Sequence, residues 1–154
     1  MEIIIQQLIS VLIGTAGFCL VFRVRHKLIP LAIAGSLLCW IVYLAGIHFA
    51  DGIFVQSIIA STISAIYAKQ AAKLLKAPAT IFFITAMLPL IPGGSLYYTM
   101  SYTVQREWVM AKQFGYQTIQ YALGIAIGMS FVWAFYEMKK RIHEQKQTSP
   151  PRTP

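Results

Sequence analysis

Five apolar stretches separated by short polar or basic segments set the plan of this chain, at residues 3–22, 28–49, 52–68, 79–104 and 116–136. Each approaches or exceeds the roughly 20 residues that carry an α-helix across a hydrocarbon core of about 30 Å. The third is the shortest and the most polar. The fourth has no charged side chain, yet two prolines and two glycines interrupt its centre, in Leu88-Pro89-Leu90-Ile91-Pro92-Gly93-Gly94-Ser95. Pro89 lacks the N–H that would reach the Thr85 carbonyl, and Pro92 the one that would reach Leu88. Gly93 and Gly94 open backbone conformations closed to other residues. The pattern predicts an all-α integral membrane protein of five transmembrane helices, the fourth broken at 89–95. Irregular backbone at membrane depth survives only where protein buries it or a wet cavity borders it. The break is therefore the first candidate for function.

Composition agrees. With 57% hydrophobic and 12% charged residues and a mean hydropathy of +0.62, the 154 residues are too apolar for a soluble domain. One membrane domain is expected over 1–138, followed at 139–154 by a basic, proline-rich tail expected to be disordered. The opening Met1-Glu2-Ile3 has no basic n-region, so no secretory signal peptide is expected.

Charge adds orientation. Arg23, Arg25 and Lys27 fall between stretches one and two, Lys69, Lys73 and Lys76 between three and four, and Lys139, Lys140, Arg141, Lys146 and Arg152 after five. In a five-span chain these 11 of the 13 basic residues share one side, leaving Arg106 and Lys112 on the other. The positive-inside rule then places the N-terminus outside and the C-terminus in the cytoplasm. Topology thus accounts for most of the net charge of +8. The basic residues flank spans rather than form one folded face, which speaks for anionic lipid and against nucleic acid.

Catalytic and metal-binding patterns are missing from the sequence. Cys19 and Cys39 fall inside spans, where packing thiols are expected rather than a disulfide. His26, His48 and His143 are scattered, and no cluster has the ligand count of a metal site. No charged residue lies at bilayer mid-depth: Asp51 and Glu107 sit at outer boundaries and Glu137 at the inner one. That argues against exporters and proton channels that rely on a central acidic group. His48 and Asp51 are read as solvated boundary residues, with proton exchange as the alternative. No enzyme activity, metal or cofactor is expected.

Small and polar residues suggest how the helices meet. Gly124 and Gly128 form a GxxxG that lets another helix approach closely. Ser57, Ser61 and Ser64 share one face of the third span. Helix packing is the first reading of that face, and a path for a hydrophilic solute, with Gln56 and Thr62 beside it, is the second.

The order of basic loop, small-residue span, Lys-rich segment closing on Ala77-Pro78-Ala79, and broken span with Pro89-Leu90-Ile91-Pro92-Gly93 resembles the threonine/serine exporter (ThrE) family. The likeness is to its separate small subunit, of the YjjB type, and extends from the first span to the fifth. The resemblance implies export of threonine and serine, or of a dicarboxylate such as succinate, across a bacterial cytoplasmic (inner) membrane. It also implies a partner: a larger five-span subunit carrying a cytoplasmic domain.

The residues offer independent support. A second half-helix beginning at Gly94 or Ser95 would present N–H groups without intrahelical acceptors and a partial positive charge. Broken helices in secondary transporters aim such ends at anionic substrate groups. Pro92, Gly93, Gly94 and Ser95, with Tyr97, Tyr98 and Gln56, are therefore the candidate substrate-binding residues. The hydroxyls of Thr99 and Ser101 are further candidates to bond the solute. Two alternatives stay open: a non-transporting assembly or regulatory protein whose break is only a packing device, and a self-sufficient homo-oligomeric exporter or channel.

Overall fold

The computed structural model describes residues 2–47, 49 and 52–148, with side chains through 139 and at 141–142. The pair His48 and Asp51, the His143 side chain and the last six residues lie outside the described part. Six α-helices follow one another, with no strand among the described residues: α1 Glu2–Val21, α2 Ile29–Gly46, α3 Ile53–Leu75, α4 Ala79–Met87, α5 Gly93–Val104 and α6 Trp108–Thr148. A single 3₁₀ turn, Leu88–Leu90, joins α4 toward α5.

By length and composition α1, α2 and the Trp108–Lys139 part of α6 are suited to cross a membrane. The pair α4 and α5, bent by 52° at the break, makes a fourth crossing if it is one span. α3 falls short on composition because serines, Gln56, Lys69 and Lys73 dilute its apolar residues. It is nonetheless the centre of the bundle, packed against α6, α2 and α4. Its small side chains make that possible: Ala60, Ala65, Ala68, Ala71 and Ala72 are all buried, and small residues let helix axes approach where lipid supplies no hydrophobic drive. Phe82, Phe83 and Met87 of α4 and Val132 of α6 close the main apolar cluster over Ala65, Ala68, Ala71 and Ala72.

Three boundaries differ from the sequence reading. Lys69 and Lys73 belong to the last turns of α3 rather than to a loop, because nothing between Ile53 and Lys76 breaks a helix. The stretch 116–136 is the middle of a 41-residue helix, about 60 Å long at 1.5 Å per residue. That helix continues through 139–148, so these ten residues of the expected disordered tail are helical. The physical reason is local: from Lys139 to Gln147 there is no glycine or proline, and the first breaker is Pro150.

Helix ends carry an unusual signature. Arg23, Lys76 and Arg106 have φ of +50°, +48° and +61°. Each follows a helix whose C-terminus closes with a bond from the next residue five positions back: Val24 N–H to Cys19 at 2.9 Å, Ala77 to Ala72 at 3.1 Å and Glu107 to Tyr102 at 2.9 Å. Glycine usually fills that left-handed position, and another residue there costs about 1–2 kcal/mol. A cation beside the helix C-terminus offsets part of this through the dipole, by about 0.3–1 kcal/mol.

Candidate functional site

The break is built by its prolines and repaired by its neighbours. The Thr85 carbonyl, denied a proton by Pro89, accepts the Leu88 N–H one residue early and the Ser36 hydroxyl from α2 at 2.7 Å. Ser36 is fully buried, so this bond is shielded from water. The Leu88 carbonyl, which Pro92 cannot serve, accepts the Ile91 N–H at 3.3 Å. Ile91 is extended, with φ −61° and ψ 120°, and α5 begins one residue after Pro92. The irregular stretch is thus 88–92, shorter and earlier than 89–95, and the second half-helix starts at Gly93 rather than at Gly94 or Ser95.

Gly93 and Gly94 do not have the role the sequence suggested. Neither has a positive φ, and a Cβ added at either would meet nothing within 4 Å. Pro92, by fixing its own φ at −78°, starts the half-helix without help from glycine conformations. What the two glycines leave is open space. Gly93 donates to Ile91 at 2.7 Å and Leu96 to Pro92 at 2.9 Å, and among the described residues no backbone acceptor meets the N–H groups of Gly94 and Ser95. This end therefore has two free donors and the positive end of a dipole. No residue of α5 is buried.

On its other flank the break borders a cavity of about 440 Å³ between α1 and α2. Leu88 and Pro89 form one wall, Trp40 another, and α1 contributes the stripe Ile3, Gln6, Gln7, Ser10, Val11, Gly14 and Thr15. That spacing of 3, 1, 3, 1, 3, 1 is one face of a helix. Two of the lining groups are buried and unbonded: Thr15 Oγ1 and Trp40 Nε1 have no partner, and Thr15 is 1% exposed. A buried donor or acceptor left alone costs about 1–3 kcal/mol.

The remaining sequence candidates do not gather here. Tyr98 packs tilted against Phe114 of α6 and Tyr102 stacks on it, with centroids 5.2 and 5.6 Å apart, and Tyr97 stands 66% exposed. The hydroxyls of Thr99 and Thr103 bond carbonyls of their own helix. Gln56 is buried at the start of α3, its Cγ 3.5 Å from where a Cβ on Gly46 would sit.

Ser57, Ser61 and Ser64 are buried on the inner face of α3. Ser57 donates to Ile53 at 2.7 Å, Ser61 reaches the Gly124 carbonyl at 3.2 Å, and Ser64 lies beside Cys39. Gly124 and Gly128 face this row so closely that a Cβ on Gly124 would come within 2.6 Å of Ser57 Cβ. A similar close approach at Gly35, where a Cβ would lie 2.8 Å from the Tyr67 ring and 3.3 Å from Ala86, was not singled out from the sequence.

Sequence reasoning also missed the α1 stripe. Its signal was present in Gln6, Gln7, Ser10 and Thr15, the polar positions of an apolar span, which share one face. Ser36 carried no signal, since its importance depends on the Thr85 carbonyl arriving opposite it.

Comparison with known proteins gives one family. The family described as Threonine/Serine exporter, ThrE, matches residues 7–135, from α1 through most of α6. No curated protein and no solved structure gives a significant match. The matched segment takes in the α1 stripe from Gln7 onward, the break and the α3–α6 contact together, and the chain belongs to the threonine/serine exporter family, ThrE.

Proposed function

We propose that this chain is the small half of a two-component secondary exporter, moving small carboxylate-bearing metabolites (threonine and serine, or a dicarboxylate such as succinate) out of the cytoplasm. The observation that carries this reading is the broken helix, with a cavity against its first half. Gln6, Gln7 and Ser10 give that cavity its polar side chains, and α5 opens with two free N–H groups. Hydroxyl and amide groups suit the polar part of such a solute, and a half-helix N-terminus suits its carboxylate.

Two features support a membrane partner. α5 has no buried residue, and the backbone around Gly93 and Gly94 is uncovered by this chain. Backbone groups left open at bilayer depth need protein or a wet cavity beside them. A larger five-span subunit with a cytoplasmic domain would supply that cover. A second copy of this chain would cover α5 equally well, and is the second reading.

In this account α3 is the fifth crossing. Ser57 and Thr62 bond carbonyls of α3 itself and Ser61 the Gly124 carbonyl of α6, which is how a central helix tolerates a composition too polar for a lipid-facing one. Five crossings put the N-terminus outside and 11 of 13 basic residues on the cytoplasmic side of a bacterial inner membrane.

The test is efflux from proteoliposomes holding this chain, the larger subunit, or both. Flux only with both supports the two-component reading. Robust flux from this chain alone replaces it with the homo-oligomer, and no flux from any combination removes the transport reading.

A further inference from the structure

A second cavity, of about 730 Å³, lies at the opposite end of the seam between α1 and α4. Its rim holds three cations: Arg23 and Arg25 from the α1–α2 turn and Lys76 from the α3–α4 turn. Phe22, Pro78 and Ile84 are among its apolar walls, and no acidic residue lines it. None of the three cations forms an ion pair with a described residue. Two of them, Arg23 and Lys76, occupy left-handed positions that favour glycine. A cation there suits a helix end by itself, as Arg106 illustrates on the α5–α6 corner. The difference is that Arg23, Arg25 and Lys76 converge on one cavity. Thr85, whose carbonyl sits at the break, lines this cavity too, so the seam runs from the basic rim toward the break.

We propose that this rim is the cytoplasmic entry site, where paired arginine and lysine side chains capture the carboxylate of a solute before it moves along the α1–α4 seam. The proposal rests on the export reading and adds where the anion is first bound. Low-dielectric walls focus the field of the three cations and raise the local concentration of anions. A dicarboxylate gains more than a zwitterion, whose ammonium group is repelled. Anionic lipid headgroups share the same chemistry, so the test separates the two sources.

Glycine is the substitution to use, because Arg23→Gly and Lys76→Gly remove charge while easing the backbone. Ala77 lines the same cavity. In a Cys19→Ser/Cys39→Ser background, Ala77→Cys is labelled with an anionic and with a cationic thiosulfonate, using the full chain in zwitterionic lipid. The anionic reagent should react faster. For charges about 10 Å away, adding Arg23→Gly and Lys76→Gly should lower the anionic-to-cationic rate ratio about threefold at 0.1 M salt and about sevenfold at 0.01 M.

Arg106→Gly should leave the ratio unchanged, and succinate should slow labelling at Ala77→Cys. An unchanged ratio in the double glycine variant overturns the proposal. Protection by anionic phospholipid with none by succinate also overturns it, assigning the rim to lipid. Because labelling needs no flux, the entry site and the export reading fail separately: protection without flux in proteoliposomes removes export alone.

Discussion

Alanine at the four glycines of this chain's break and its GxxxG should have opposite effects, because the two pairs stand in opposite surroundings. At Gly124 an added Cβ would lie 2.6 Å from Ser57 Cβ and 3.0 Å from the Phe54 carbonyl oxygen. At Gly128 it would lie 2.9 Å from the Ile58 carbonyl oxygen and 3.0 Å from Thr62 Oγ1, and closer still to Ser61 Oγ. Ordinary contact begins near 3.4 Å. The shortfalls are therefore 0.8 Å at Ser57 and 0.5 Å at the Ile58 oxygen, and backbone cannot rotate away as a side chain can. Overpacking of this kind costs about 1–3 kcal/mol per site, or roughly 5- to 150-fold in the unfolding equilibrium. At Gly93 and Gly94 the added Cβ meets nothing, and alanine should stabilise by about 0.4–1 kcal/mol through the unfolded chain. The expected gap between pairs is roughly 1.4–4 kcal/mol per substitution. Reversible unfolding in mixed dodecylmaltoside–SDS micelles, followed by circular dichroism, measures it. Equal stability of Gly128→Ala and Gly93→Ala would refute the close α3–α6 contact. Gly93→Val should likewise keep the lone chain folded and lose export by crowding the free N–H end of α5.

Ser36→Ala should cost about 0.5–1.5 kcal/mol by removing the hydroxyl bond to the Thr85 carbonyl, and adding Pro89→Ala should recover part of the loss by restoring an N–H; micelle unfolding of the single and double variants shows whether the two effects couple. Single cysteines near Lys112 and near Asp51, in a Cys19→Ser/Cys39→Ser background, should react with an impermeant thiol reagent applied outside. One near Lys73 should be protected until the membrane is opened, and labelling of Lys73's neighbourhood in intact cells would reverse the topology.

Much of the fold was legible because lipid imposes a simple rule: a span must be long, apolar and internally bonded. The location of the break was legible for the same reason, since two prolines remove two specific donors. Its conformation was not. Gly93 and Gly94 invited a reading of special backbone angles, whereas Pro92 alone sets the start of α5 and the glycines adopt ordinary helix geometry. Boundaries set by competition between polar composition and tertiary packing were also hidden. α3 runs on through Lys69 and Lys73 because those stems lie against α6, with the Lys69 ammonium 4.8 Å from the centre of the Tyr136 ring, a favourable cation–π distance. The cavity was half legible. One polar face of α1 can be counted along the sequence, but Trp40, Leu88 and Pro89 join it only through the packing of α2 and α4.

The central claim is that the break, through the free N–H end of α5, holds the carboxylate of a transported solute. The most direct measurement is competition of threonine, threonine amide and succinate for binding to the assembled exporter. The amide should compete about tenfold less well than threonine, the loss of one charge-assisted hydrogen bond. Equal competition by the amide would contradict the account and leave the break as a kink that only lets helices pack.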